Sequence, residues 1–213
     1  MHPRLYLITP PQFDCDAFAP MLEEALEGGD VACVLISMPD ATEADLQRTA
    51  KKLVPIIQAA DAAALVENNT QIMGRSGADG LHFVGSDAAL EEVMRDFQEE
   101  KIIGHSGVKT RHEAMTIASM GVDYVFFGLL DLEQTPEAHP KTLDFGSWWA
   151  EVFETPCVVL GGTSLDSVKP CAETHAEFVA LREAIWTHPE GPKAAVQQAN
   201  AILEQVTLPD SEE

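Results

Sequence analysis

Basic residues are scarce in this chain, with 13 Lys and Arg against 35 Asp and Glu and a formal net charge of -22. No cluster of cations exists that would neutralise several phosphates, so nucleic acid and anionic membranes are not expected partners. The acidity reads as a solvated surface that keeps the protein soluble. Cysteine is sparse too: Cys15, Cys33, Cys157 and Cys171 form no C-x-x-C pair, and they are expected to be reduced and structural. There is no apolar stretch of membrane length and no basic segment leading into an apolar one, which makes the cytoplasm the expected location. H-E-x-x-H, Walker, G-x-G-x-x-G and zinc-ligand patterns are absent as well, and the histidines are too scattered to suggest a metal cluster.

What is present is alternation. Short apolar runs at 4–9, 31–37, 62–66, 80–83, 101–104, 124–127, 157–160 and 178–181 are separated by helical patterns, the order expected of parallel strands joined by crossover helices. Phe18, Met21, Leu22, Ala25 and Leu26 follow helical spacing and end at Gly28. Thr42 is placed to cap a second helix, Thr110 and Glu113 form a capping box, and Leu90 to Phe97, Asp144 to Phe153 and Ala194 to Leu203 carry further helical patterns. Residues 129–141 hold two prolines and little periodicity, so a long functional loop is expected there. Eight strand and helix units in 213 residues predict an α/β fold, a single (β/α)8 TIM barrel over residues 1–206 followed by an acidic tail over 207–213. An open doubly wound sheet is the competing architecture, disfavoured by the lack of a dinucleotide fingerprint.

Five segments, in order, carry a resemblance: Leu5-Tyr-Leu-Ile-Thr9, Gly77-Ala-Asp-Gly-Leu-His82, Gly104-His-Ser106, Gly121-Val-Asp-Tyr124 and Gly161-Gly162. Together the chain resembles the thiamine-phosphate synthase and TenI family. The resemblance implies the barrel fold, a thiamine-phosphate synthase-like transferase, and a phosphorylated heterocyclic small molecule as partner, with a homodimer as an expected assembly. The family reaction joins hydroxymethylpyrimidine diphosphate to thiazole phosphate, giving thiamine phosphate and diphosphate with the help of Mg2+; the TenI branch acts on or binds thiazole phosphate.

Carried over position by position, the resemblance makes Gly161 and Gly162 a phosphate-binding pair, which suits glycines after a late barrel strand. Ser106 matches a diphosphate contact, His82 a pocket histidine and Asp87 a weak metal ligand. Lys109, Arg182 and Lys141 are the cations expected near an anionic ligand. The departures are equally specific. Val34, Ile36 and Met38 stand where the synthases carry a Q-x-R-x-K run, and Glu67, Asn68 and Asn69 stand for N-D-R, so Mg2+ loses a carboxylate at Asn68. Glu67 compensates only if its side chain points inward. Near strand eight, Arg182-Glu183 replaces a small serine; Glu183 facing a phosphate at about 4 Å would cost on the order of 4 kcal/mol, whereas Arg182 facing it reverses the sign. Three functions follow as expectations: a synthase with a partly degenerate site, a TenI-like or non-catalytic barrel that binds a phosphorylated small molecule, and a scaffold or interaction protein.

Overall fold

The computed structural model describes residues 1–209. Its strands are β1 (Arg4–Ile8), β2 (Val31–Ile36), β3 (Ala63–Glu67), β4 (Gly80–Phe83), β5 (Ile102–His105), β6 (Tyr124–Phe127), β7 (Cys157–Leu160) and β8 (Phe178–Leu181). Each pairs in parallel with its neighbour, and β1 pairs with β8 in the register Arg4↔Phe178 to Leu7↔Leu181. That last pairing closes the (β/α)8 barrel and rules out the open sheet.

Strand alternation sorts the side chains into two layers. Tyr6, Ile8, Cys33, Leu35, Leu65, Tyr124, Phe126, Val158, Leu160 and Ala180 fill the barrel interior. The opposite parity, including Leu5, Leu7, Val34, Ile36, Val66, Phe127 and Val159, packs against the helices. Both faces of every strand are therefore dry, which is why the strands read as continuous apolar runs.

The helices are α1 (Cys15–Leu26), α2 (Glu43–Ala59), α3 (Thr70–Ser76), α4 (Asp87–Phe97), α5 (Arg111–Ser119), α6 (Pro140–Val152), α7 (Val168–Ala172, entered through a 3-10 turn at Leu165–Ser167), α8 (Glu183–Trp186) and α9 (Pro192–Leu203). Thr42 and Thr110 cap α2 and α5 through the Asp45 and Glu113 N–H groups, and Glu113 returns its carboxylate to the Lys109 N–H at 2.7 Å. α6 starts four residues before the expected Asp144, because Pro140 loses nothing at the first turn and His139 caps the Lys141 N–H. α3, α7 and α8 are only 7, 5 and 4 residues long, too short to show a period. Among the described residues no helix is long and apolar enough to cross a membrane. Of the expected tail, Leu208 is buried and its N–H bonds the Met1 carbonyl at 2.8 Å; residues 210–213 lie outside the described residues.

Two of the segments that carried the resemblance are parts of the scaffold. Gly77 (φ 73°) and Gly121 (φ 87°) stop α3 and α5 in the left-handed region. The aspartates two residues on then clamp neighbouring strands: Asp79 N–H bonds the Ala64 carbonyl at 2.8 Å while Ala64 N–H bonds the Asp79 carboxylate at 2.7 Å, and Asp123 does the same with Ile103 at 2.8 and 2.7 Å. Glu177 repeats the device, accepting from Cys157 N–H at 2.8 Å.

Gly104 is required for a different reason: a Cβ there would be driven into the Tyr124 ring. Gly104→Ala is expected to destabilise by about 1–3 kcal/mol, lowering Tm by several degrees in a scanning calorimeter. Gly74→Ala, which meets nothing within 4 Å on α3, serves as the control and should leave Tm unchanged or raised, since alanine favours a helix by up to about 1 kcal/mol.

Candidate functional site

The interior parity delivers one polar chain to the barrel axis. His82, fully buried, bonds the Tyr124 hydroxyl through Nδ1 at 2.8 Å and the Ser106 hydroxyl through Nε2 at 2.8 Å. Tyr6 and Tyr124 hydroxyls meet at 3.0 Å. Neutral imidazole has one donor and one acceptor nitrogen, and hydroxyls can serve either, so the chain is satisfied without charge. Burial pushes His82 down to about 3, with His105 adding to the effect, and burial raises both tyrosines well above the usual phenol value. Ser106 is thus held by His82 inside the barrel rather than left free at the rim.

Above this chain lies the charged rim. Glu67 points inward, accepting the Ser37 hydroxyl at 2.6 Å, and burial raises its pKa against the lowering effects of Ser37 and Arg182. Arg182 shares the inward parity of Ala180 and is nearly buried; its Nε meets Glu183 Oε1 at 2.8 Å, and Nη1 reaches the Leu130 carbonyl at 3.4 Å. The guanidinium is therefore paired with Glu183, and its charge also acts on Glu67. The strand-two reading needs a correction: Val34 and Ile36 pack on the helix layer, while Cys33 and Leu35 face the axis and Ser37 follows them to Glu67. Side-chain direction on β2 is invisible in the sequence because both of its faces are apolar.

The residues expected at a metal do not form a donor set. Asp87 sits in the first turn of α4, exposed, behind the Ser86 cap. Asn68, at φ 51°, spends its amide oxygen on the Val84 N–H at 2.7 Å, and Asn69 spends its own on Ile72 N–H at 2.9 Å. Among the described residues no three His, Cys, Asp or Glu side chains are placed to hold a metal ion. Mg2+ favours one or two free carboxylates beside substrate phosphate, and this arrangement does not fit it.

The Gly161-Gly162 turn is occupied by the chain itself. Gly161 N–H bonds the Ala180 carbonyl at 2.9 Å and Gly162 N–H bonds Ser167 Oγ at 2.9 Å. The loop between β6 and α6 lies across the turn: Thr163 and Ser164 N–H groups bond the Thr135 and Pro136 carbonyls at 2.8 and 3.2 Å. Beside the turn, under the same loop, is a crevice of about 140 Å3 that gathers Lys109, Lys141 and Gly161 with Phe127, Leu129 and Leu160. Of the residues predicted from sequence, His82 and Ser106 lie on the axis, Glu67 and Arg182 at the rim, and Lys109, Lys141 and Gly161 at the crevice; Asn68 and Asp87 stand at the edge. Tyr6, Tyr124 and Ser37 escaped the sequence reading, although the i, i+2 parity shared with Ile8, Phe126 and Leu35 would have pointed two tyrosines and a serine at the axis.

Because the folded-state value of His82 (about 3) lies below its ordinary 6.5, the stability it contributes is complete above pH 6.5 and is lost as pH falls toward 3. Wild type should lose up to about 1.36 kcal/mol per pH unit from this group between pH 6 and 4.5. Urea unfolding of His82→Gln over the same range should lack that increment; parallel pH profiles for the two proteins would contradict it.

Comparison with known proteins bears on this geometry. The family described as "Thiamine monophosphate synthase" (TMP-TENI) matches residues 5–185. A thiamine-phosphate synthase of Rhodospirillum centenum is 39% identical over 94% of this chain and 97% of its own, and one of Hyphomonas neptunium is 33% identical over 95% of each. A solved thiamine phosphate pyrophosphorylase from Pyrococcus furiosus superposes with a TM-score of 0.79 over 95% of this chain and 96% of its own at 22% identity, which speaks for the fold. With an ordered match across nearly its whole length and relatives above 30% identity, the chain belongs to the thiamine monophosphate synthase and TenI family, as a divergent thiamine-phosphate synthase-like member.

Proposed function

We propose that this chain handles the phosphorylated heterocycles of its family and joins them at a small fraction of a relative's rate. The observation that carries this is the rim, where Arg182 is paired with Glu183 at 2.8 Å and its charge also acts on the buried Glu67. Expelling diphosphate from the pyrimidine builds negative charge, which only positive or hydrogen-donating groups stabilise. Here the charge would develop beside a surplus carboxylate. One such repulsion at about 4 Å costs on the order of 4 kcal/mol at an effective dielectric near 20, equivalent to about a thousandfold in rate. The relatives named thiamine-phosphate synthase support the reaction class, and Lys109 and Lys141 beside an apolar crevice support an anionic heterocycle as ligand. Four buried, unpaired cysteines accord with a cytoplasmic protein.

A second reading, binding without turnover, is favoured by the donor set at Asn68, Asn69 and Asp87, whose two amide oxygens already accept backbone N–H groups. The two readings separate in one assay with Mg2+, hydroxymethylpyrimidine diphosphate and thiazole phosphate, run beside the Rhodospirillum centenum relative. The proposal expects thiamine phosphate at a rate lower by at least about a hundredfold, with part of the loss recovered in Glu67→Asn/Glu183→Ser as the charge surplus is removed. Equal rates would overturn it. Calorimetric binding of thiazole phosphate with no product at all would replace it by the second reading. Light scattering on the same sample checks the homodimer that the resemblance implies.

A further inference from the structure

We infer that Tyr6 and Tyr124 are positioning residues: their hydroxyls fix His82 as the tautomer with its proton on Nε2, which makes Ser106 a hydrogen-bond donor toward the ligand. The inference rests on the proposed handling of phosphorylated heterocycles for the identity of that ligand alone. The polarity itself follows from counting protons. The buried chain from Tyr6 through Tyr124 and His82 to Ser106 has three close links, at 3.0, 2.8 and 2.8 Å. It holds three hydroxyl protons and, in a neutral ring, one imidazole proton. Each link takes one proton, so one of the four is left over.

The two tautomers leave it in different places. With the proton on Nε2, Tyr6 donates to Tyr124, Tyr124 donates to Nδ1, and Nε2–H donates to Ser106 Oγ; the spare proton is that of Ser106. With the proton on Nδ1, the ring donates to Tyr124 and Ser106 donates to Nε2. The link between the phenols then takes only one of their two protons, and the other has no acceptor. The remaining approach, Tyr6 to Nδ1 at 3.4 Å, gives no relief, because Nδ1 is itself a donor in that form.

An orphan phenol proton is the worse outcome. Tyr6 is 1% exposed, its ring lies edge-on to Tyr124 and Phe126 at 5.9 and 5.8 Å, and burial keeps both phenols protonated. A donor stranded there bears its full desolvation cost. A phenol, with a pKa of about 10, is also a stronger donor than an aliphatic hydroxyl, so the bare imidazole nitrogen is better matched to Tyr124 than to Ser106. Ser106 directly follows β5, at the strand end where barrel sites are built. Its N–H goes to the Phe83 carbonyl at 3.1 Å, and among the described residues its Oγ has no partner but His82. Ser106 therefore accepts from below and donates outward. A hydroxyl polarised this way recognises a phosphoryl oxygen, which offers only lone pairs, and rejects an N–H or O–H group.

The test begins without ligand. Heteronuclear NMR of the histidine ring nitrogens in the full chain, with His82 assigned by its loss in His82→Gln, should show the Nε2–H tautomer. An Nδ1–H signal in wild type would overturn the inference, and this reading needs no variant to fold. Tyr6→Phe/Tyr124→Phe, or Tyr6→Phe alone if the pair unfolds, should let the Nδ1–H form grow in; an unchanged tautomer in the double variant would remove the positioning role. Calorimetry with hydroxymethylpyrimidine diphosphate and Mg2+ then reads the consequence. Ser106→Ala should weaken binding about tenfold, as loss of a donor to a charged oxygen implies. The double phenylalanine variant should weaken it several-fold although Ser106 is retained. Full affinity in both overturns the donor role and leaves the proposed function standing. If wild type binds no hydroxymethylpyrimidine diphosphate while His82 is the Nε2–H tautomer, the proposed function falls and the positioning by the two tyrosines stands.

Discussion

The architecture of the ligand face depends on an imidazole kept neutral inside the barrel. His82 lies on the axis with a hydroxyl at 2.8 Å from each ring nitrogen, and Gly104 is what lets the Tyr124 ring come close enough to supply one of them. Desolvation of a cation there would be far more expensive than in water, so the interior is polar but uncharged. The oxygen of Ser106 is engaged by that arrangement. Every charge that can recognise an anion is displaced upward, to the rim and its loops.

At the rim the decisive constraint is charge count. Arg182 is paired with Glu183 and its charge also acts on Glu67, while Asn68 and Asn69 serve as turn and helix caps. The pole therefore carries one carboxylate more than its guanidinium offsets. The loop from β6 to α6 completes the change by spending the Thr135 and Pro136 carbonyls on the amides that follow the glycine pair. Beside it stays a crevice of about 140 Å3 lined by Lys109 and Lys141.

The strands were legible in the sequence because each is a β-branched apolar run bounded by turn residues, and β4, β6, β7 and β8 lie where those runs predict. The long helices were legible through their stripes and caps. Side-chain direction was not: in β2 both faces are apolar, so nothing in Val31–Ile36 announces that Cys33 and Leu35, rather than Val34 and Ile36, face the axis. The same blindness left Glu67 and the Arg182-Glu183 pair undecided until the closed sheet fixed the parity. Gly161-Gly162 illustrates a different limit. Its own amides bond the Ala180 carbonyl and Ser167 Oγ, and those of Thr163 and Ser164 bond a loop some thirty residues earlier, contacts that no local pattern encodes. Residues such as Asp79 and Asp123 show the converse, since motif positions that marked the family proved to be strand clamps.

The most direct test of this account is a crystal structure grown with thiazole phosphate. The account predicts Arg182 still held by Glu183, and the His82–Ser106 hydrogen bond intact, beside the bound ligand. Arg182 turned away from Glu183 onto the ligand's phosphate would contradict it.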